Sequence, residues 1–129
     1  MTTAEAKRIV REAVEEAVEN GKPLLYRIPD TNEYERIELS GTLHMCEQEK
    51  VDILNYAGIL QLMTVGFGKV FGREAVTIAL NAYDMIIERY GEKADFMQVF
   101  DYEFPDGDEV RFYIMNDEDH WTVLMPDER

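Results

Sequence analysis

Residues 96–125 read FMQVFDYEFPDGDEVRFYIMNDEDHWTVLM, and this stretch decides the fold class. Apolar and polar side chains alternate along three short runs, which is the period of two that half-buried strands show. Two turn signals separate these runs, PDGD at 105–108 and NDED at 116–119. The pattern therefore predicts a three-stranded antiparallel meander. Its predicted strands are 96–104, 110–115 and 120–125.

Three stretches before the meander repeat their apolar residues with helical spacing. Residues 3–20 carry Ala, Ile and Val at positions i, i+3, i+4 and i+7. A second helix is predicted over 47–63, because acidic residues suit its N-terminus and apolar residues follow. A third helix is predicted over 73–90, with Gly91 ending it. The turn between the second and third helices is assigned to Gly66, Gly68 and Gly72.

Two strands are expected between the first and second helices. A short strand at 24–28 and a longer one at 37–46 flank the polar turn 29–32, and Gly41 marks a bend in the longer strand. The sequence therefore predicts a single α+β domain over residues 1–129. In it, an antiparallel β-sheet, made of this N-terminal hairpin plus the C-terminal three-stranded meander, packs on three helices in the order αββααβββ.

Composition bears on folding and location. Apolar residues make up 46% of the chain and aromatics 11%, so a folded core is expected rather than disorder. The single cysteine, Cys46, allows no internal disulfide, and no segment has the pattern of a secretory signal. A cytoplasmic location is therefore expected. The most apolar window, 51–71, is interrupted by Asp52 and Lys69, so no membrane-spanning helix is predicted.

The predicted helix from Val51 to Met63 is apolar around most of its circumference. Two interpretations are open. Either it is the central helix of the domain, covered on all sides, or a homodimer forms through it and buries the excess apolar surface.

Negative charge is concentrated near the C-terminal end of the sequence. Residues 92–129 hold 12 Asp and Glu against 3 Lys and Arg, and so carry −9 of the net charge of −14. Such a field repels nucleic acid and anionic membranes and attracts basic proteins. Direct nucleic-acid binding is not expected, because basic residues such as Lys7, Arg11 and Arg73 are scattered among acids and form no basic stripe.

The motifs that would indicate catalysis or a cofactor are weak. His44 and Cys46 lie two apart on one strand face, a spacing that suits two metal ligands or a nucleophile and its base. Zinc would need two further ligands, and His120 is the one other imidazole in the chain. The glycines before Arg73 match neither the dinucleotide fingerprint nor the phosphate loop, because Phe71 and Val70 occupy required positions.

Carboxylates offer two further alternatives. Asp101 and Glu103 share a strand face about 6 to 7 Å apart, a spacing that excludes neither glycosidase mechanism. The acidic turns offer oxygen ligands for calcium, but neither matches the twelve-residue loop with its closing glutamate. We therefore assign no catalytic residue, no metal and no cofactor, and do not expect an enzyme.

The remaining hypothesis treats the acids themselves as the function. Same-face carboxylates on a strand are spaced like successive phosphates of a nucleic acid, so the meander would mimic nucleic acid and dock into the basic surface of a nuclease or DNA-binding protein. A phage or mobile-element anti-defence protein, or a toxin immunity protein, would act in this way. Tyr113 and Trp121, if exposed, would anchor the partner. The predicted partner-binding residues are Asp101, Glu103, Asp106, Asp108, Glu109, Tyr113, Asp117, Glu118, Asp119 and Trp121.

The alternative is a small acidic cytoplasmic domain whose charge serves solubility only, with a small-molecule-binding or enzymatic role. Asp is also a good turn former, which by itself explains acidic turns.

Overall fold

A computed structural model describes residues 36–50, 61–117 and 120–129 of the chain. Its regular elements form one sheet and one helical segment, and in chain order they are β1 (Thr42–Met45), β2 (Gln61–Met63), α1 (Val65–Phe71), a 3-10 turn (Gly72–Glu74), α2 (Ala75–Tyr90), β3 (Met97–Glu103), β4 (Glu109–Asp117), β5 (His120–Leu124) and a second 3-10 turn (Pro126–Glu128). The predicted meander is confirmed as β3, β4 and β5, and the α+β character of the fold is confirmed with it.

The sheet has five strands in the order β1-β3-β4-β5-β2. The predicted all-antiparallel sheet is wrong, because β2 pairs in parallel with β5 while the other neighbours are antiparallel. Residues 61–63 were predicted to end the second helix. They form a strand instead because β5 satisfies their backbone groups and because Gln61 and Met63, two residues apart, are both buried.

The prediction of three helices is also wrong for the described residues, which hold a single helical segment from Val65 to Tyr90 with a 3-10 turn inside it. The predicted third helix corresponds to α2, which Gly91 ends at φ 58°. The predicted helix at 3–20 and residues 51–60 of the second helix lie outside the described residues. Within the described ranges, the order αββααβββ is therefore replaced by a strand, a second strand, the helical segment and the three-stranded meander.

The glycine turn proposed between two helices is a helix in the structure. The hydroxyl of Thr64 accepts a hydrogen bond from the Phe67 backbone N–H at 3.2 Å and so caps α1 at its N-terminus. Phe67 and Phe71 then lie one turn apart and are both buried. Packing of these two rings on the sheet outweighs the low helix propensity of Gly66 and Gly68.

The core lies between the helical segment and one face of the sheet. Phe112, at the centre of β4, is fully buried, and its ring lies 5.1 Å from that of Phe67 and 5.3 Å from that of Phe100. The hydroxyl of Tyr83, on α2, lies within hydrogen-bond distance of the carbonyls of Leu62 and Trp121 at 3.0 and 2.9 Å. That contact ties α2 to the parallel β2–β5 pair. The core face of the sheet is carried by the even-numbered residues of β3 and β4, so their odd-numbered residues form the opposite face, called here the outer face.

β1 is shorter than the predicted strand at 37–46, and Gly41 lies just before it. A Cβ atom on Gly41 would lie 2.2 Å from the Glu103 carbonyl oxygen, so the strands approach closely because this residue has no side chain. The carboxylate of Glu74 accepts hydrogen bonds from the backbone N–H and hydroxyl of Ser40, at 2.6 and 2.9 Å. In the described residues β1 pairs with β3; its predicted partner at 24–28 lies outside them.

Candidate functional site

The turn end of the β3–β4 hairpin carries four of the predicted partner-binding acids, two in the turn and one at the end of each strand. They are Glu103, Asp106, Asp108 and Glu109, and we call them the acidic hairpin end. Asp106, Asp108 and Glu109 are exposed and Glu103 is half-buried. Among the described residues, no Lys or Arg forms an ion pair with any of the four. Their negative charge is therefore not neutralised by the described part of the chain.

Two of these acids face each other across the hairpin. Glu103 and Glu109 are direct cross-strand partners on the outer face. Directly opposite residues of an antiparallel pair have Cβ atoms about 5 Å apart, and like charges in that position are destabilising. The sheet thus holds two carboxylates together at a cost to its own stability.

The turn itself is tied by backbone and side-chain hydrogen bonds. The Phe104 N–H donates to the Asp108 carbonyl at 2.8 Å, and the Gly107 N–H donates to the Phe104 carbonyl at 2.9 Å. The Asp106 carboxylate accepts from the Asp108 N–H at 3.0 Å, and Gly107 adopts φ 94°. Asp106 therefore has a structural role in the turn besides contributing charge, as a good turn former should.

The structure assigns Asp101 a different position from the acids of the turn. Arg111, its cross-strand partner, donates two hydrogen bonds to the Asp101 carboxylate, from Nε at 2.9 Å and from a terminal nitrogen at 3.1 Å. The hydrogen bond from Arg111 lowers the pKa of Asp101. Asp101 is therefore charged, but Arg111 neutralises its charge within the sheet. It would add little to the attraction of a basic partner.

His44, on β1, and Cys46, just after β1 ends, lie next to this ion pair. His44 is the cross-strand partner of Asp101, and the Cys46 thiol donates to the Asp101 carboxylate at 3.8 Å. Burial, followed by the charge of Asp101, raises the pKa of Cys46. A nucleophilic cysteine needs the opposite shift, since the thiolate is the reactive form. The geometry thus brings the Cys46 thiol to the Asp101 carboxylate, with His44 at the neighbouring strand position, but it disfavours the thiolate that a nucleophilic cysteine would use.

His120 does not join this group. It lies on β5, three strand spacings from β1, which is about 14 Å across the sheet. Within the ranges 36–50, 61–117 and 120–129, no group of three or more His, Cys, Asp or Glu side chains could hold a metal ion.

Of the predicted acids in the second turn, the structure describes the backbone of Asp117 alone. Asp117 is the last residue of β4 and pairs with His120, while Glu118 and Asp119 fall outside the described residues. Eight residue steps along β4 separate Glu109 from Asp117, a distance of about 27 Å. The backbone of Asp117 therefore lies at the opposite end of β4 from the acidic hairpin end.

The two predicted aromatic anchors differ in exposure. Trp121 is 3% exposed and belongs to the core, so it is not available to a partner in this structure. Tyr113 is half-buried on the outer face of β4, where Val99 and Leu124 are its cross-strand partners. Tyr113 remains a candidate contact residue on the same face as Glu103 and Glu109.

The sequence contained a signal for the Asp101–Arg111 pair that was missed. The turn at Asp106 fixes the register of the β3–β4 hairpin, and counting outward from it pairs residue 103 with 109 and residue 101 with 111. The residues that pair between β1 and β3 lie far apart in the sequence, so no turn between them indicates their register.

Comparison of the chain with protein-family models, with curated proteins and with solved structures found no significant match. In the part of the chain that the structure describes, none of the helices has the length and apolar content needed to cross a membrane.

Proposed function

We propose that this chain is a non-enzymatic protein-binding protein whose acidic hairpin end occupies a basic surface of its partner. The observation that carries the proposal is the cross-strand pairing of Glu103 with Glu109, for which the described residues supply no neutralising base. A basic partner would supply it. The unfavourable charge arrangement in the free protein would then become a favourable one in the complex.

The partner class follows from the chemistry of the site. A hairpin end that carries four acids within residues 103–109 resembles a short run of phosphates in its charge. Surfaces that bind such a run are the basic grooves of nucleases and DNA-binding proteins. The proposed function is therefore that of a cytoplasmic inhibitor, which competes with nucleic acid for the basic surface of its partner. Electrostatic steering would make its association fast and sensitive to salt.

The contribution of the remaining predicted residues is unequal. Tyr113 lies on the same outer face, four residues along β4 from Glu109, and would add apolar contact area there. Asp101 is paired with Arg111 and would contribute little to the attraction of a partner.

The test is a pull-down from lysate with three forms of the protein: wild type, a hairpin variant (Glu103→Gln, Asp106→Asn, Asp108→Asn, Glu109→Gln) and a matched control. The control neutralises four exposed acids elsewhere (Glu38→Gln, Glu88→Gln, Glu92→Gln, Asp127→Asn). The substitution Asp106→Asn keeps a side-chain oxygen that can accept the hydrogen bond from the backbone N–H of residue 108, so the turn should be retained.

We expect wild type and control to recover the same basic protein at low salt and to release it at high salt, and the hairpin variant to recover none of it. Equal recovery by the hairpin variant, or equal loss in both variants, would show that the hairpin end is not the binding site. Such a result would favour the alternative, in which the negative charge of the chain serves solubility only.

A further inference from the structure

A cavity of about 340 Å³ lies beside the C-terminal end of α2, near the start of β3, whereas the acidic hairpin end lies at the end of that strand. We call it the basic pocket; its lining residues are Gln48, Glu49, Lys50, Arg89, Tyr90 and Lys93. Its volume falls at the lower end of the range of about 300 to 1,000 Å³ that small-molecule sites occupy.

The inner wall of the basic pocket is fixed by hydrogen bonds. The side-chain amide of Gln48 donates to the Lys93 carbonyl at 2.9 Å, and its oxygen accepts from the Asp95 N–H at 2.6 Å and from Gln98 Nε2 at 2.5 Å. The Gln48 backbone N–H donates to the Tyr90 hydroxyl at 3.1 Å. Gln48 thus joins the segment after β1 to the end of α2 and the start of β3. A wall held in this way exists before a ligand binds, which lowers the entropic cost of binding.

The remaining wall carries three cations and one carboxylate, Glu49, and so has a net positive charge, in contrast to the chain as a whole. Three of the 13 Lys and Arg residues of a chain with net charge −14 line this one cavity. Lys50 and Lys93 are exposed and have no carboxylate partner among the described residues. Arg89 pairs with Glu47 at 2.6 Å, but the Arg89 side chain is 44% exposed and that of Glu47 is 80% exposed. A pair this exposed is weak, so a bound anion could compete for the guanidinium.

Stabilisation of the helix does not account for all three cations. Cations near the end of α2 interact favourably with the helix macrodipole, which explains Arg89 and, in part, Lys93. Lys50 belongs to the segment after β1, and its position at the pocket is not explained by that effect.

We infer that the basic pocket binds a small anionic ligand through a phosphate or carboxylate group. Lys50, Arg89 and Lys93 would contact the anionic group, since charge-assisted hydrogen bonds to such groups are the strong ones. Glu49 would accept hydrogen bonds from neutral donors of the ligand. The site is independent of the proposed protein-binding function, because it shares no residue with the acidic hairpin end.

Binding is measured by NMR, from the backbone amide shifts of the full chain. The chain is titrated with pyrophosphate and, in a parallel series, with citrate. Sodium chloride at matched ionic strength is the blank. Pyrophosphate presents its negative charge on phosphate groups and citrate on carboxylate groups, so comparing the two titrations shows which group the pocket binds. The pocket variant is Lys50→Gln with Lys93→Gln. Its matched control is Lys69→Gln with Arg73→Gln, which removes two exposed charges outside the pocket.

We expect saturable shifts at Gln48, Tyr90 and Lys93 with at least one of the two anions, and binding about tenfold weaker or more in the pocket variant than in the control. Lys50→Gln alone, at an exposed position, provides the comparison if the double variant loses stability. Shifts that do not saturate, that scatter over the surface, or that weaken equally in both double variants would overturn the inference.

Discussion

Glu103 and Glu109 are directly opposed cross-strand partners at the end of the β3–β4 hairpin. Like charges in this position repel, and the described residues offer no base to separate them. Two residues further into the sheet, the corresponding position holds the Asp101–Arg111 ion pair instead. Two neighbouring positions of the same hairpin thus differ: Asp101 and Arg111 neutralise each other, whereas Glu103 and Glu109 repel. This contrast is the basis of the proposed function.

The first prediction concerns the stability cost of the opposed glutamates. Glu109→Gln should stabilise the free protein by about 0.2 to 1 kcal/mol, because it removes one of two like charges while keeping the side-chain shape. Urea unfolding of the wild type and the variant measures the change. Asp108→Asn, an exposed acid that has no directly opposed carboxylate, is the control and should change stability less. A loss of stability in Glu109→Gln would contradict the like-charge repulsion assigned to this pair.

The second prediction concerns the Asp101–Arg111 pair and pH. Arg111→Met should destabilise the protein slightly at neutral pH, because it removes the ion pair with Asp101. The loss should be small, since the Arg111 side chain is 54% exposed and the pair is partly screened by solvent. The folded-state pKa of Asp101 is depressed, so its contribution is present above the ordinary carboxyl pKa and is lost as pH falls through the lower folded value. The difference in unfolding free energy between wild type and variant should therefore shrink below about pH 4. A difference that grows on acidification would contradict this assignment.

The third prediction concerns the reactivity of Cys46. Because burial and the neighbouring Asp101 raise its pKa, alkylation by iodoacetamide at neutral pH should be slower than that of an unfolded control peptide. Asp101→Asn should shift the pH midpoint of the alkylation rate downward, since it removes a negative charge beside the thiol. Fast alkylation of the wild type at neutral pH would indicate an activated thiolate and would reopen a catalytic role for Cys46.

The fourth prediction compares two glycines. Gly41→Ala should destabilise the protein by about 1 to 3 kcal/mol, because the new methyl group would meet the Glu103 carbonyl at 2.2 Å and would force the backbone to shift. Gly68→Ala should stabilise it by about 0.5 to 1 kcal/mol, because the position is helical and the added atom would make an ordinary contact with Met63 at 3.7 Å. Thermal unfolding ranks the two variants against wild type. The opposite ranking would contradict the close β1–β3 approach or the helical course of α1.

The parts of the fold that the sequence predicted depend on local patterns. The meander was predictable because its alternation of polar and apolar residues and its turn residues lie within one stretch of chain, and α2 was predictable from a sustained helical period ended by Gly91. β2 was not, because it has three residues and its partner β5 lies 60 positions away in sequence. Its two buried residues and their neighbours fit a helical pattern equally well, and tertiary pairing decided between the two.

The candidate site was predictable in charge but not in geometry. The acids of the β3–β4 turn were predicted, and three of the four are exposed, whereas Asp101 is neutralised by a cross-strand partner and Trp121 is buried. Both outcomes depend on which residues face each other across the sheet. The basic pocket left no sequence signal, because Lys50 and Lys93 come from segments 43 residues apart that meet only in the folded chain.

The most direct test of the account is displacement of nucleic acid from the partner recovered in the pull-down. A fluorescent DNA duplex bound to that partner is titrated with wild type, with the hairpin variant and with the matched control, and anisotropy reports the release of the duplex. The account predicts that wild type and control displace the duplex and that the hairpin variant does not. Displacement by the hairpin variant as strong as that by wild type, or retention of the duplex at saturating wild-type protein, would contradict it.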